Sequence, residues 1–256
     1  MTLLDPNSIV LHRSGSGAPL VLLHCLGVDH KFWSFMSPLA DGFTLLNYDL
    51  PGHGATPVPA VGYSIADLSA QLAGILRHHN IRRAHVAGIS LGGLIAQHFA
   101  AHHSECVDRL VLMDTTPRYT GEMRAMWAMR AAAARKEGVA TLADSLLKIW
   151  FSDKFIAQDP PALRYVREQL QRTPGEGYAL MCEALASADL REDAAKIHAP
   201  TLVICGDDDI PSFLDAARWL AANIAGARLS WLPGARHASV IEQPDRTIAL
   251  LREFLR

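Results

Sequence analysis

A serine hydroxyl attacks an acyl carbon only when a base takes its proton, so a candidate nucleophile has to be read with its surroundings. The segment His85-Val86-Ala87-Gly88-Ile89-Ser90-Leu91-Gly92-Gly93 supplies them: an apolar run leads into G-x-S-x-G, and helical spacing follows at Leu94, Ile95, His98 and Phe99. A serine on a tight strand-to-helix turn is held in a strained conformation. Small residues two positions to either side let neighbouring segments come close enough to permit it. The hydroxyl then stands above the sheet, and the helix starting near Leu91 aims unsatisfied N–H groups and a positive dipole end at the place where negative charge develops. The same five residues also occur in ordinary glycine-rich turns; the strand before them and the helix after them carry the functional reading.

The base is sought among twelve histidines. His78, His79, His102 and His103 fall at helix ends, where interaction with terminal carbonyls accounts for them. His237 follows the last apolar run, in Leu232-Pro233-Gly234-Ala235-Arg236-His237, and precedes Glu242-Gln243-Pro244 and a closing helix. Its loop therefore opens at the same sheet edge as Ser90. In this kind of triad a carboxylate comes between serine and histidine in the chain. Leu202-Val203-Ile204-Cys205-Gly206-Asp207-Asp208-Asp209-Ile210-Pro211 offers three at a strand end. Three adjacent carboxylates repel too strongly to be buried together against one imidazole, so two should face solvent or cap a helix. Asp209 is the preferred acid; Asp207, Asp208, and Asp114 at the end of Leu110 to Met113 are the alternatives. A tetrahedral intermediate needs two donors. The Leu91 N–H is one by geometry, and the turn His24-Cys25-Leu26-Gly27 offers the Leu26 N–H as the other.

The elements that must position these groups are legible as apolar runs bounded by turn residues: Pro19 to Leu23, Thr44 to Tyr48, Ala84 to Ala87, Leu110 to Met113, Thr201 to Cys205 and Arg228 to Leu232. Helical spacing lies between several of them, as at Ile65, Leu68, Leu72, Ile75 and Leu76. Alternation of this kind predicts an α/β fold, a mostly parallel sheet flanked by helices. Between the fourth and fifth runs helix formers dominate and no strand pattern appears, which predicts a helical cap over residues 118–190, with the core formed by 1–117 and 191–256. Such an insertion should fold over the carboxyl edge of the sheet, where ligands bind in open α/β folds.

With 24 Lys and Arg against 26 Asp and Glu, the chain lacks the positive charge that binding nucleic acid or an anionic membrane requires. Cys25, Cys106, Cys182 and Cys205 form no C-x-x-C pair, so free thiols are expected and no metal site. The start has no basic segment followed by an apolar core, and no uncharged stretch reaches the roughly 20 residues of a membrane span. A cytoplasmic location is the expectation.

Four motifs spread over nearly the whole chain give it a resemblance to the α/β-hydrolases: His24-Cys25-Leu26-Gly27, Asp49-Leu50-Pro51-Gly52-His53-Gly54, Gly88-Ile89-Ser90-Leu91-Gly92, and Gly206 to Asp209 with His237. The resemblance implies the α/β-hydrolase fold with its helical cap. It also implies an acid three residues after Gly206, which is Asp209. Within that superfamily the chain is most similar to 3-oxoadipate enol-lactonases of bacterial aromatic catabolism. Trp127 ahead of Arg135-Lys136-Glu137-Gly138, then Trp150-Phe151, Glu176-Gly177-Tyr178, Cys182-Glu183-Ala184 and Ala188-Asp189-Leu190-Arg191 carry that likeness. It departs from those enzymes in its oxyanion turn, which is usually of the polar Asn-Ser-Leu-Gly type, and in an unusually acidic loop followed by Ile210-Pro211.

The expected chemistry is hydrolysis of a carboxylic ester or lactone through an acyl-enzyme on Ser90, without a cofactor. Trp127 and Trp150, with Met126 and Met129, are candidates for the pocket lining. Arg118, Arg124 and Arg191 are candidates for a substrate carboxylate. The alternatives are a broad carboxylesterase or perhydrolase with the same triad, and a ligand receptor that binds without hydrolysing.

Overall fold

The computed structural model describes residues 4–256. Seven strands form one sheet in the order β1-β3-β2-β4-β5-β6-β7. They are β1 (His12–Ser14), β2 (Ser16–Leu23), β3 (Asp41–Asn47), β4 (Ala84–Ile89), β5 (Val107–Met113), β6 (Thr201–Gly206) and β7 (Arg228–Leu232). Only β1 runs antiparallel, against β3; every other neighbouring pair is parallel. The six apolar runs correspond to β2 to β7. The sequence pattern shows no sign of β1, because it is short and largely exposed and buries no side chain. Both β4 and β6 are buried at every position, the mark of a sheet covered on both faces.

The core helices are α1 (Ile65–His78), α2 (Leu91–His102), α8 (Pro211–Asn223), α9 (Ser239–Glu242) and α10 (Pro244–Leu255). Helix α1 starts at a capping box in which the Ser64 hydroxyl accepts from the Asp67 N–H while the Asp67 carboxylate accepts from the Ser64 N–H. Five helices lie between β5 and β6 with no strand among them: α3 (Gly121–Glu137), α4 (Ala143–Trp150), α5 (Asp153–Gln158), α6 (Pro161–Arg172) and α7 (Gly175–Ser187). Thr120 caps α3, Glu122 sits in its first turn, and Arg135 and Lys136 in its last, each complementing the helix dipole. Gly138 at φ 81° ends it. An isolated bridge between Arg118 and Asp189, backed by the Leu190 N–H donating to the Pro117 carbonyl at 2.8 Å, joins the two ends of this helical segment.

Candidate active site

Ser90 stands between β4 and α2 at φ 51° and ψ −113°, in the region that favours glycine. Close packing on both sides enforces that conformation. A Cβ at Gly88 would lie 2.1 Å from the Gly92 carbonyl oxygen, and one at Gly92 would lie 2.2 Å from the Leu23 carbonyl oxygen. The Ser90 N–H donates to the Met113 carbonyl at 2.9 Å, and the Thr115 hydroxyl donates to the Ser90 carbonyl at 2.7 Å. A serine in front of a helix commonly turns its oxygen back to cap the first turn. Ser90 makes no such bond; its Oγ lies 2.9 Å from His237 Nε2.

The opposite nitrogen, His237 Nδ1, is 2.9 Å from Asp209 Oδ2, and both residues are buried. An ionised carboxylate only accepts, so Nδ1 carries the proton and the Nε2 lone pair faces the serine hydroxyl. The other Asp209 oxygen accepts from the Ile210 N–H at 2.7 Å, and the Phe213 ring covers the imidazole with centroids 4.2 Å apart. Burial opposes protonation of His237, but the charge and hydrogen bond of Asp209, together with the charge of Asp114, outweigh it. The imidazole pKa is raised above its ordinary 6.5.

The neighbouring acids have other partners. Asp207 accepts from the Gly234 N–H at 2.6 Å and Asp208 pairs with Arg236 at 3.4 Å, both at exposed positions. Asp114 is fully buried but bonds elsewhere: Oδ1 accepts from the Gly206 N–H at 3.0 Å, and Oδ2 accepts from the Ser239 N–H at 3.0 Å and the Ser239 hydroxyl at 2.7 Å. Leu26 and Leu91 are buried, and among the described residues neither backbone N–H takes part in a hydrogen bond.

A cavity of about 150 Å³ opens on Ser90 and His237. Its walls are Cys25 and Leu26 below, Ile210 and Phe213 at the side, and Met123, Met126, Trp127, Arg130, Ile149 and Trp150 from α3 and α4 above. Trp127, Trp150 and Met126 thus meet Ser90 in one cavity, whereas Met129 is 67 % exposed and belongs to the outer surface. The three arginines singled out from the sequence lie elsewhere. Arg118 and Arg191 line a separate surface pocket, Arg191 is bound to Asp189 at 2.7 Å, and Arg124 donates to the Tyr119 carbonyl. Arg130 is the cation in the cavity. It recurs on the face of Met123, Met126 and Trp127 at helical spacing, with its guanidinium 5.0 Å from the Trp127 ring centroid, and it forms no ion pair among the described residues. A charged residue interrupting an apolar helical stripe was the signal that could have found it.

Residues 20–250 match the model of the alpha/beta hydrolase family. The chain belongs to this family. It is 33 % identical to 3-oxoadipate enol-lactonase 2 of Acinetobacter baylyi over 88 % of this chain and 84 % of that protein. It is also 33 % identical to the pimeloyl-[acyl-carrier protein] methyl ester esterase of Chromobacterium violaceum, over 97 % and 98 % of the two chains. The crystal structure of the enol-lactonase from Burkholderia xenovorans LB400 superposes with a TM-score of 0.92 at 35 % identity, covering 96 % of each chain.

Two further motifs of this alpha/beta hydrolase are joined through His24, next to Cys25 of the cavity wall. The Leu50 N–H donates to His24 Nε2 at 3.0 Å, so Nδ1 holds the proton and donates to the Cys25 carbonyl at 2.8 Å. Burial lowers the His24 pKa, keeping the ring neutral as this pair of bonds requires. Asp49 accepts from the Ala55 N–H at 2.8 Å and from the backbone and ring of His30 at 2.7 Å each. Gly52 meets Gly177 of α7 backbone to backbone, where a Cβ would fall 2.6 Å from the Gly177 Cα. Helix α4 is fastened to the histidine loop: Arg236 donates to the Lys148 and Phe151 carbonyls at 2.9 and 3.2 Å, and the Ala238 N–H donates to the Trp150 carbonyl at 2.9 Å. These bonds satisfy the last carbonyls of α4. No helix among the described residues is long and apolar enough to cross a membrane.

Proposed function

We propose that this chain hydrolyses a small carboxylic ester or lactone through an acyl-enzyme, with Ser90 as nucleophile, His237 as general base and Asp209 as the carboxylate that orients it. The observation that carries the reading is the unbroken run from Ser90 Oγ to His237 Nε2 and from Nδ1 to Asp209 Oδ2, 2.9 Å at each step. Ser90 Oγ attacks the acyl carbon while its proton passes to Nε2. The oxyanion receives the Leu26 and Leu91 N–H groups, and collapse returns the proton to the departing oxygen. A water molecule then repeats the sequence on the acyl-enzyme, releasing the acid and restoring the serine. Residues 118–190 act as the cap that closes the cavity.

The cavity argues for a particular substrate class. At about 150 Å³ it falls below the roughly 300–1,000 Å³ typical of sites for drug-sized ligands. Its walls are apolar apart from Arg130 and the reacting groups. That combination suits a small acyl compound bearing one free carboxylate. The enol-lactone of 3-oxoadipate fits this description: closing one carboxyl of a diacid into the ring leaves the other free. Its leaving oxygen is an enol, which becomes a ketone in water and makes acyl transfer irreversible. A carrier-bound acyl ester has no comparable room.

Labelling with a fluorophosphonate tests the nucleophile, with attachment expected at Ser90 and lost in Ser90→Ala; failure to label indicates a receptor on the same fold. Competing an enol-lactone bearing a carboxylate against an activated aryl ester tests the substrate class. Equal selectivity for the two replaces this reading with a broad carboxylesterase or perhydrolase.

A further inference from the structure

Asp114 is as close to the reacting groups as Asp209 in chain topology, since both follow parallel neighbouring strands, yet the reaction sketched above gives it no task. It is completely buried, and its backbone is held at φ 44°, a conformation few non-glycine residues adopt. Such strain persists only where the surroundings over-determine it. Here they do: the Asp114 N–H donates to the Ile204 carbonyl at 2.9 Å, and its two oxygens take the Gly206 N–H, the Ser239 N–H and the Ser239 hydroxyl. Gly206 stands three residues before Asp209, and Ser239 two residues after His237. One carboxylate thus bonds to the loop that carries the acid and to the loop that carries the base.

We infer that Asp114 is a positioning residue for the proposed triad: its one carboxylate fixes the loop that carries Asp209 to the loop that carries His237. This rests on the functional reading given above. The groups that face Asp114 are His237 and Asp209, with the buried thiols of Cys205 and Cys25. Arg130 faces His237 from the cap and acts in the opposite sense. Burial, partly offset by His237, pushes the Asp114 carboxyl up to about 7, so the charge it adds is itself sensitive to pH.

The sign follows from electrostatics. A negative charge near an imidazole favours the imidazolium, and removing it lowers the histidine pKa. In Asp114→Asn the His237 titration, followed by NMR in protein labelled at histidine and assigned by its loss in His237→Gln, should move to lower pH. The acid limb of kcat/KM should move with it, and kcat should fall by about tenfold to a hundredfold while KM changes little. Ser239→Ala, which removes one donor and leaves two, should displace both curves less but in the same direction, and it serves if Asp114→Asn does not fold. A His237 titration superimposable on that of the unaltered protein, in a variant with its melting transition intact, overturns the inference. The titration needs no turnover, so an inactive wild-type protein would count against the proposed function alone.

Discussion

Two regions meet over Ser90, and they are held in place by different means. At the sheet edge, position is enforced largely by backbone: the Ser90 turn and the Gly206 loop leave no space for an added methyl, with prospective Cβ contacts of 2.1 Å at Gly88 and 2.2 Å at Gly92 and Gly206. The helical segment is held by side chains reaching across as well as by backbone ties such as the Ala238 N–H to the Trp150 carbonyl. The Arg236 side chain holds α4, the Thr173 hydroxyl donates to the Gly27 carbonyl at 3.1 Å, and the Tyr165 hydroxyl donates to Asp29 at 2.7 Å. Under the proposed function, the first region sets the geometry of bond making, which fails when displaced by about 1 Å. The second supplies most of the cavity wall, and under the same proposal its polar ties, about 1 kcal/mol each, can be exchanged without disturbing the chemistry below.

If that division is right, changes at the sheet edge should cost turnover and changes in the cap should cost selectivity. The largest effect is expected for Ser90→Ala, on the order of 10⁶ in kcat with an unchanged melting temperature, measured with a chromogenic ester. Asp209→Asn should lower kcat by about 10⁴, because an amide can hold the wrong imidazole tautomer; a loss under tenfold would shift the orienting role to a neighbouring acid. Gly92→Ala drives a methyl into the Leu23 carbonyl and should cost over about 3 kcal/mol of stability by thermal melt.

In the cap, Arg130→Met should reduce kcat/KM for a carboxylate-bearing lactone by about tenfold to a hundredfold and leave the methyl ester of the same compound nearly unaffected. Equal losses on both would show that Arg130 shapes the wall without reading charge. The smallest effect is on pH. His237 accepts a proton only when neutral, and Asp209 and Asp114 raise its pKa against the opposing effect of burial. Activity should therefore fall as pH drops through a point above the ordinary histidine value; an acid limb below that value would place the controlling ionisation elsewhere.

Much of the sheet edge was legible because its constraints are local. Gly88, Gly92 and Gly206 mark places where segments touch, and strand ends carry Ser90 and Asp209 at spacings that a parallel sheet turns into neighbours. Six of seven strands show as apolar runs, while β1 is invisible because pairing with β3, and no buried side chain, makes it a strand. The cap was less legible. Its helices are apparent from composition, but which face of α3 looks inward depends on how α3 packs against α7, and Arg118, Arg124 and Arg191 are as basic as Arg130.

The amino-acid sequence by itself determined the alternation of strand and helix, the strained serine turn and the chain order of serine, acid and histidine, because each follows from short-range sterics and a hydrophobic period. Only the tertiary structure decided that Asp209 reaches His237 while Asp114 ties two loops together, and that Arg130 shares the cavity with Ser90. Those outcomes depend on distances between segments remote in the chain, which local patterns narrow to a few candidates without choosing among them.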